Sequence, residues 1–137
     1  MPSRRDLNLE IYNIGKYAYR ELHNFCLQYP EKKKQLNTLR FPYRSPSFSG
    51  EIHGTVSGDP TGHSAERAEF LERDCLLIEK TAHEAAGEYA DCLLLSVTKD
   101  VPFHYLVLLK DLEIGEKKFM SMRRYFYFLL AQKKKII

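Results

Sequence analysis

Lys117, Lys118, Ser121 and Arg124 stand close together near the start of the last helical stretch of the chain. Cationic side chains and a hydroxyl grouped in this way are donors suited to phosphate oxygens and base edges. Between and beyond them Phe119, Met122, Phe126 and Leu129 recur at spacings of three, four and three. That rhythm puts four large apolar groups on one side of a helix beginning near Glu116. The preceding stretch, Pro102 to Leu112, carries Phe103, Leu106, Val107, Leu109 and Leu112 as its apolar side, and Glu113-Ile114-Gly115 breaks it. A packed helix, a short turn and a second helix whose first turns expose cations is the physical description of a helix-turn-helix DNA reader. Arg123 and the run Lys133, Lys134 and Lys135 would add phosphate contacts where exposed. On spacing alone, an ordinary helical hairpin with a solvated basic face has equal standing.

Other chemistries find less support. His23 and Cys26 lie one helical turn apart, but two ligands do not make a zinc site, and no second pair of suitable spacing follows. His53 and His63 fall in a loop-like region, and the glycines there match neither phosphate-cradling pattern. Four successive aromatics, Tyr125 to Phe128, point all round a helix, so at most one or two could face a base. The expectation is therefore a protein that is not an enzyme, with no cofactor and no metal.

The elements that must position the basic cluster read as all-α. Leu7, Ile11, Ile14, Ala18, Leu22 and Phe25 recur at three and four, predicting one helix over Leu7–Leu27. Pro30 suits the first turn of a second, short basic helix over Glu31–Arg40, with Leu36 and Leu39 as its contacts. Residues 1–40 form an N-terminal helical hairpin on this reading. Residues 41–62 are rich in Pro, Gly and Ser without helical period, and read as a flexible linker. Residues 63–137 hold a long helix plus the helix-turn-helix domain. The long helix runs from His63 to Ala86, and Ala68, Leu71, Cys75, Ile78, Ala82, Ala85 and Tyr89 repeat as a seam. That seam, within 65–89, suits a partner helix of the same chain or a homodimer. Phe70, Leu76 and Leu77 broaden it and favour burial within the chain. A short apolar helix follows over Tyr89–Thr98, Asp100 caps the next one, and the Lys133–Ile137 tail is expected to fray.

The net charge of +3 is too small to diagnose a nucleic-acid binder, but its distribution is uneven. Residues 1–44 hold nine Lys/Arg against four Asp/Glu, residues 59–91 three against nine, and residues 116–137 seven against one. A cationic end can bind a polyanion at near-neutral total charge. Pairing between the basic and acidic segments is the plainer alternative, and the lysines 32–34 are a secondary phosphate contact only if they escape it. Three widely spaced cysteines, Cys26, Cys75 and Cys92, argue for a reducing compartment, the cytoplasm. The start of the chain lacks a secretory apolar segment, and no run is long enough to cross a membrane.

Four segments carry a family likeness: Leu27-Gln28-Tyr29-Pro30 followed by Lys32-Lys33-Lys34-Gln35-Leu36; the linker closing in Gly58-Asp59-Pro60-Thr61; the helix from Ala65 to Ala86; and Ile114 to Leu130, IGEKKFMSMRRYFYFLL. In this order they resemble phage-encoded, sigma-factor-like helix-turn-helix regulators, the RinA-like and ArpU-like late-gene activators. Phe119, Arg123, Phe126 and Leu129 or Leu130 hold the places of that family's aromatic, arginine and apolar positions. The turn departs from the pattern, with Glu113 and Gly115 where the family commonly has Gly and Ser. The resemblance implies a prophage-derived transcription regulator in a bacterial cell, with a domain like sigma region four, duplex DNA as partner and RNA polymerase as a candidate second partner. A protein-interaction or oligomerisation module, and a small-terminase-like packaging factor, are the alternatives.

Overall fold

The computed structural model describes residues 6–40 and 61–137. The predicted linker therefore lies outside the described residues, save for Thr61 and Gly62, which belong to a helix. Among the described residues every regular element is helical: α1 (Lys16–Leu27), α2 (Tyr29–Arg40), α3 (Thr61–Ala86), α4 (Ala90–Lys99), α5 (Phe103–Lys110) and α6 (Glu116–Lys133). The all-α expectation is met.

The chain before α1 differs from the single helix predicted from Leu7. The Asn8 side chain accepts a hydrogen bond from the Glu10 N–H at 2.9 Å and starts a 3-10 turn, Glu10–Tyr12. Asn13 then takes a left-handed conformation, φ 60°. Asparagine tolerates that region better than most residues. Leu9 and Ile14 are drawn together in an antiparallel bridge, and Gly15, extended, stands ahead of the first turn of α1. Leu9 and Ile14 are buried, whereas Ile11 is 79% exposed. A local side-chain bond and a left-handed residue have outcompeted a helical repeat that included Ile11.

Helix α3 is the longest element, and its seam is covered within the chain. Leu71, Cys75, Ile78 and Ala82 are buried. Helix α2 packs along α3, and α4 and α6 pack on it too. The side of α3 offered for a homodimer is thus already occupied. Opposite charges fasten α2 to α3: Lys32 Nζ lies 2.9 Å from Asp74, Lys33 Nζ lies 3.3 Å from Glu79, and Arg40 pairs with Glu72. The Tyr29 hydroxyl donates to Glu79. Lys32 and Lys33 are thereby engaged with the acidic segment rather than offered to phosphate.

Hairpin and C-terminal helices share one core. Tyr19, Leu22 and Cys26 of α1 are buried in the same cluster as Ile78 of α3, Leu93 and Val97 of α4, Leu106 of α5, and Phe119, Phe126, Tyr127 and Leu130 of α6. Gly87, at φ 55°, ends α3, and a 3-10 turn leads into α4. Asp100 does not cap α5. It closes α4 in a left-handed conformation, and Pro102 precedes α5. Asp111, also left-handed, stops α5 before the Glu113–Gly115 break. The tail is anchored: Ile136 N–H donates to the Ala131 carbonyl at 2.9 Å, with Lys135 left-handed, and Ile136 packs on the core.

The two neighbours of the first turn separate the observed fold from a continuous helix. Leu9→Ala should lower stability by about 2–5 kcal/mol, as for buried leucines generally. Ile11→Ala should change it by no more than about 0.5 kcal/mol. Urea denaturation of both variants measures the difference.

Candidate nucleic-acid interface

Helix α6 begins at Glu116, where the sequence places it, with Gly115 extended ahead of its first turn. Its buried positions are Phe119, Arg123, Phe126, Tyr127, Leu130 and Ala131. The predicted stripe shared Phe119 and Phe126 with this set, but Met122 and Leu129 sit at its margin, half-buried. The sealed side is therefore turned toward Arg123. Lys117, Lys118 and Ser121 are exposed and Arg124 is half-exposed. Among the described residues none of these four has an ion-pair partner. The structure brings them together on the first turns of α6. Lys118 and Ser121 also line a shallow groove with Tyr12, Ala85, Met122 and Tyr125.

The remaining predicted contacts fare differently. Arg123 is 8% exposed and faces the core, so it offers no surface to phosphate. Lys133 donates to Glu84 and, at 3.1 Å, to the Thr81 hydroxyl, tying the end of α6 to α3. Lys134 Nζ lies 3.9 Å above the Phe25 ring, which takes Lys32 at 4.3 Å as well, a cation–π arrangement. Lys135 alone of the tail lysines is exposed without such an engagement among the described residues. Glu113 and Glu116, both exposed, border the cationic face. Glu116 favours the positive end of the α6 dipole while opposing an approaching phosphate.

A buried polar group lies on the opposite side of α6. Arg123 Nη2 is 3.6 Å from Asp100 Oδ1, and Asp100 Oδ2 is 3.6 Å from His23 Nε2. His23 Nδ1 is 3.4 Å from the Tyr19 hydroxyl and 3.5 Å from that of Tyr127. The Tyr19 and Tyr127 rings meet edge to face, with centroids 5.1 Å apart. Burial pushes both phenols above their ordinary range, Tyr127 the further, so each is an uncharged O–H near neutrality. Burial likewise raises the three thiols, which are free and buried, and leaves them poor nucleophiles.

The inward turn of Arg123 had a signal in the sequence. Phe119, Arg123, Phe126 and Leu130 are spaced four, three and four, a better helical stripe than one that skips the arginine. The charge of the guanidinium masks it, because arginines are mostly exposed. The polar set of Tyr19, His23, Asp100 and Tyr127 had no such signal, because its members come from two separate helices and the end of a third.

Among the described residues no helix is long and apolar enough to cross a membrane, and no three or more His, Cys, Asp or Glu gather as a metal site would need. Compared with protein-family models, curated proteins and solved structures, the chain matches none.

Removing a buried arginine should cost more than removing exposed lysines. Arg123→Met leaves Asp100 behind, but that side chain is 31% exposed, so the expected loss is near the lower end for a broken ion pair, about 2–3 kcal/mol. Lys117→Ala with Lys118→Ala should stay within about 0.5 kcal/mol. Chemical denaturation compares them.

Alkaline pH should loosen the fold in two stages. Thiols and phenols have folded-state pKa values raised by burial, so their contribution is complete below their unfolded values and is lost as pH rises through the folded ones. The decline should begin above about pH 8.5 for the thiols and steepen above about pH 10 for the phenols. Tyr127→Phe should flatten the second stage, read as urea midpoints across that range.

Proposed function

We propose that this chain is a DNA-binding regulator that lays the first turns of α6 in the major groove. The observation that carries the reading is the free cationic face: Lys117, Lys118 and Ser121 exposed, Arg124 half-exposed, and none of them in an ion pair among the described residues. Four cations elsewhere on the fold, Lys32, Lys33, Arg40 and Lys133, are held by carboxylates of α3, and the exposed Lys34, Lys80, Lys99 and Lys110 are scattered over other helices. Charge left unpaired in this setting acts outward. Lys117, Lys118, Ser121 and Arg124 approach base edges and phosphates, and Lys135 adds a phosphate contact. Arg123, Lys133 and Lys134 hold the reading helix in place instead.

The order α5, turn, α6 supports a helix-turn-helix reading in which α6 is the second helix. Leu106 and Leu112 are buried, and the Phe103 ring meets the Phe119 ring at 5.7 Å, so the turn is tied to the front of α6. Together with the resemblance to phage late-gene activators, this supports a transcription regulator of prophage origin acting in a bacterial cytoplasm, without catalysis, with RNA polymerase as a further partner.

A second reading has its own observation. Helix α5 leaves Tyr105, Leu108 and Leu109 exposed, at 52%, 78% and 68%. Adjacent exposed apolar groups of this size mark protein contact surfaces. A protein-interaction module, or a packaging factor of the small-terminase kind, would use this face.

Fluorescence anisotropy with random-sequence duplex DNA, alongside light scattering, separates the two. The DNA reading expects binding that weakens with salt, losing about 0.9 in the log–log slope for each phosphate contact removed. Lys117→Glu with Lys118→Glu should abolish it while leaving the helical circular dichroism unchanged. Unchanged retention by that variant would refute the assigned face, and a tight oligomer with no salt-dependent signal would favour the second reading.

A further inference from the structure

A cavity of about 310 Å³ opens between the end of α4, α1 and the inner side of α6. Glu116, Phe119, Met120 and Arg123 of α6 line it, and the buried Phe119 and Arg123 lie on the side of the helix turned away from Lys117, Lys118 and Ser121. Its size is at the small end for ligand pockets, which run from roughly 300 Å³ upward.

Arg123 makes this more than a packing gap. The side chain is nine-tenths buried, and its Nε has no hydrogen-bond partner among the described residues. A buried guanidinium N–H left without an acceptor is costly, and a carboxylate is the acceptor its planar fork fits best. The buried Tyr19 and Ser96 also line the cavity and bring further hydroxyls to it. A simple anion is nevertheless a poor occupant, because Asp6, Asp100 and Glu116 also face the space. Asp6 is held by Arg20 at 3.0 Å, and Asp100 is engaged with His23 and Arg123, so Glu116 at the rim remains as the carboxylate best placed for an incoming cation. A simple cation would meet the positive charge of Arg123. Leu7, Val101, Phe103 and Phe119 supply the apolar wall, while His23 and His104 also face the space.

We propose that this cavity binds a small zwitterion of the α-amino-acid type, with its carboxylate on Arg123, its ammonium toward Glu116 and an aliphatic side chain against the apolar wall. The proposal is independent of the DNA reading, which a separate titration decides.

L-Leucine, 4-methylpentanoate and L-leucine methyl ester form the test set: the whole probe, the probe without its ammonium and the probe without its carboxylate. Each is titrated into the full chain by calorimetry and by amide chemical-shift mapping. Leucine should bind saturably with shifts at Ser96, Phe119 and Arg123, and each analogue at least about tenfold more weakly. Glu116→Gln, at an exposed position that the fold does not need, should weaken leucine while leaving 4-methylpentanoate unchanged or tighter. Arg123→Lys should weaken both. Equal binding of leucine and 4-methylpentanoate, shifts elsewhere on the surface, or no saturable leucine binding at millimolar concentration would each overturn the proposal.

Discussion

The fold depends on covering the long apolar seam of α3. Twenty-six residues of helix span about 39 Å at 1.5 Å per residue, far more than one short helix can shield. The chain divides the task. Helix α2 lies along α3, with Lys32, Lys33 and Arg40 on its acidic residues, while α4 and α6 pack on α3 as well. Because α2 is reached through α1, and α1 packs on α4 and α6, closing the seam also draws the N-terminal hairpin into the common core. Ile78, Ala82 and Ala86 of α3 sit in one buried cluster with residues from both ends of the chain.

This closure sets what α6 can do. Its sealed side must carry Phe119, Phe126 and Leu130, and the helical period then brings Arg123 to the same side. The arginine is accommodated because Asp100 closes α4 in a left-handed turn and places a carboxylate near it. Buried cations persist only with a partner of this kind. The same rotation leaves Lys117, Lys118 and Ser121 exposed and Arg124 half-exposed. Burial of one arginine and exposure of the cations beside it follow from one orientation of the helix.

Much of this could be read from residue patterns, and the failures have physical causes. Helices α2, α3, α4 and α6 lie within a few residues of where spacing and Pro30 put them. The first helix was overextended because Ile11 falls in the three-four rhythm, while the Asn8 side-chain bond and the left-handed Asn13 act locally against it. Asp100 closes α4 rather than capping α5 for a related reason: aspartate serves both as an N-cap and in left-handed turns, and the tertiary partner, here Arg123, decides between them. The exposed cations of the candidate site were legible from spacing. Lys133 and Lys134 were not separable from Lys135, since three consecutive lysines look alike until Glu84 and the Phe25 ring are brought beside two of them.

Charge segregation along the chain therefore has two consequences that composition alone conflates. The basic N-terminal segment and the acidic middle neutralise each other across the α2–α3 contact, where Asp74, Glu79 and Glu72 meet Lys32, Lys33 and Arg40. Exposed pairs of this sort contribute little to stability individually. Their larger effect is on where field remains. With four carboxylates of α3 occupied by α2 and by Lys133, the cations at the start of α6 have Asp111, Glu113 and Glu116 nearby in the sequence to oppose them. A total charge of +3 is thus compatible with a local cationic face, because much of the neutralisation lies where α2 covers α3. Attraction of a polyanion to that face would be set by the few unpaired groups on α6, and would respond to changes there far more than to changes among the paired lysines of α2.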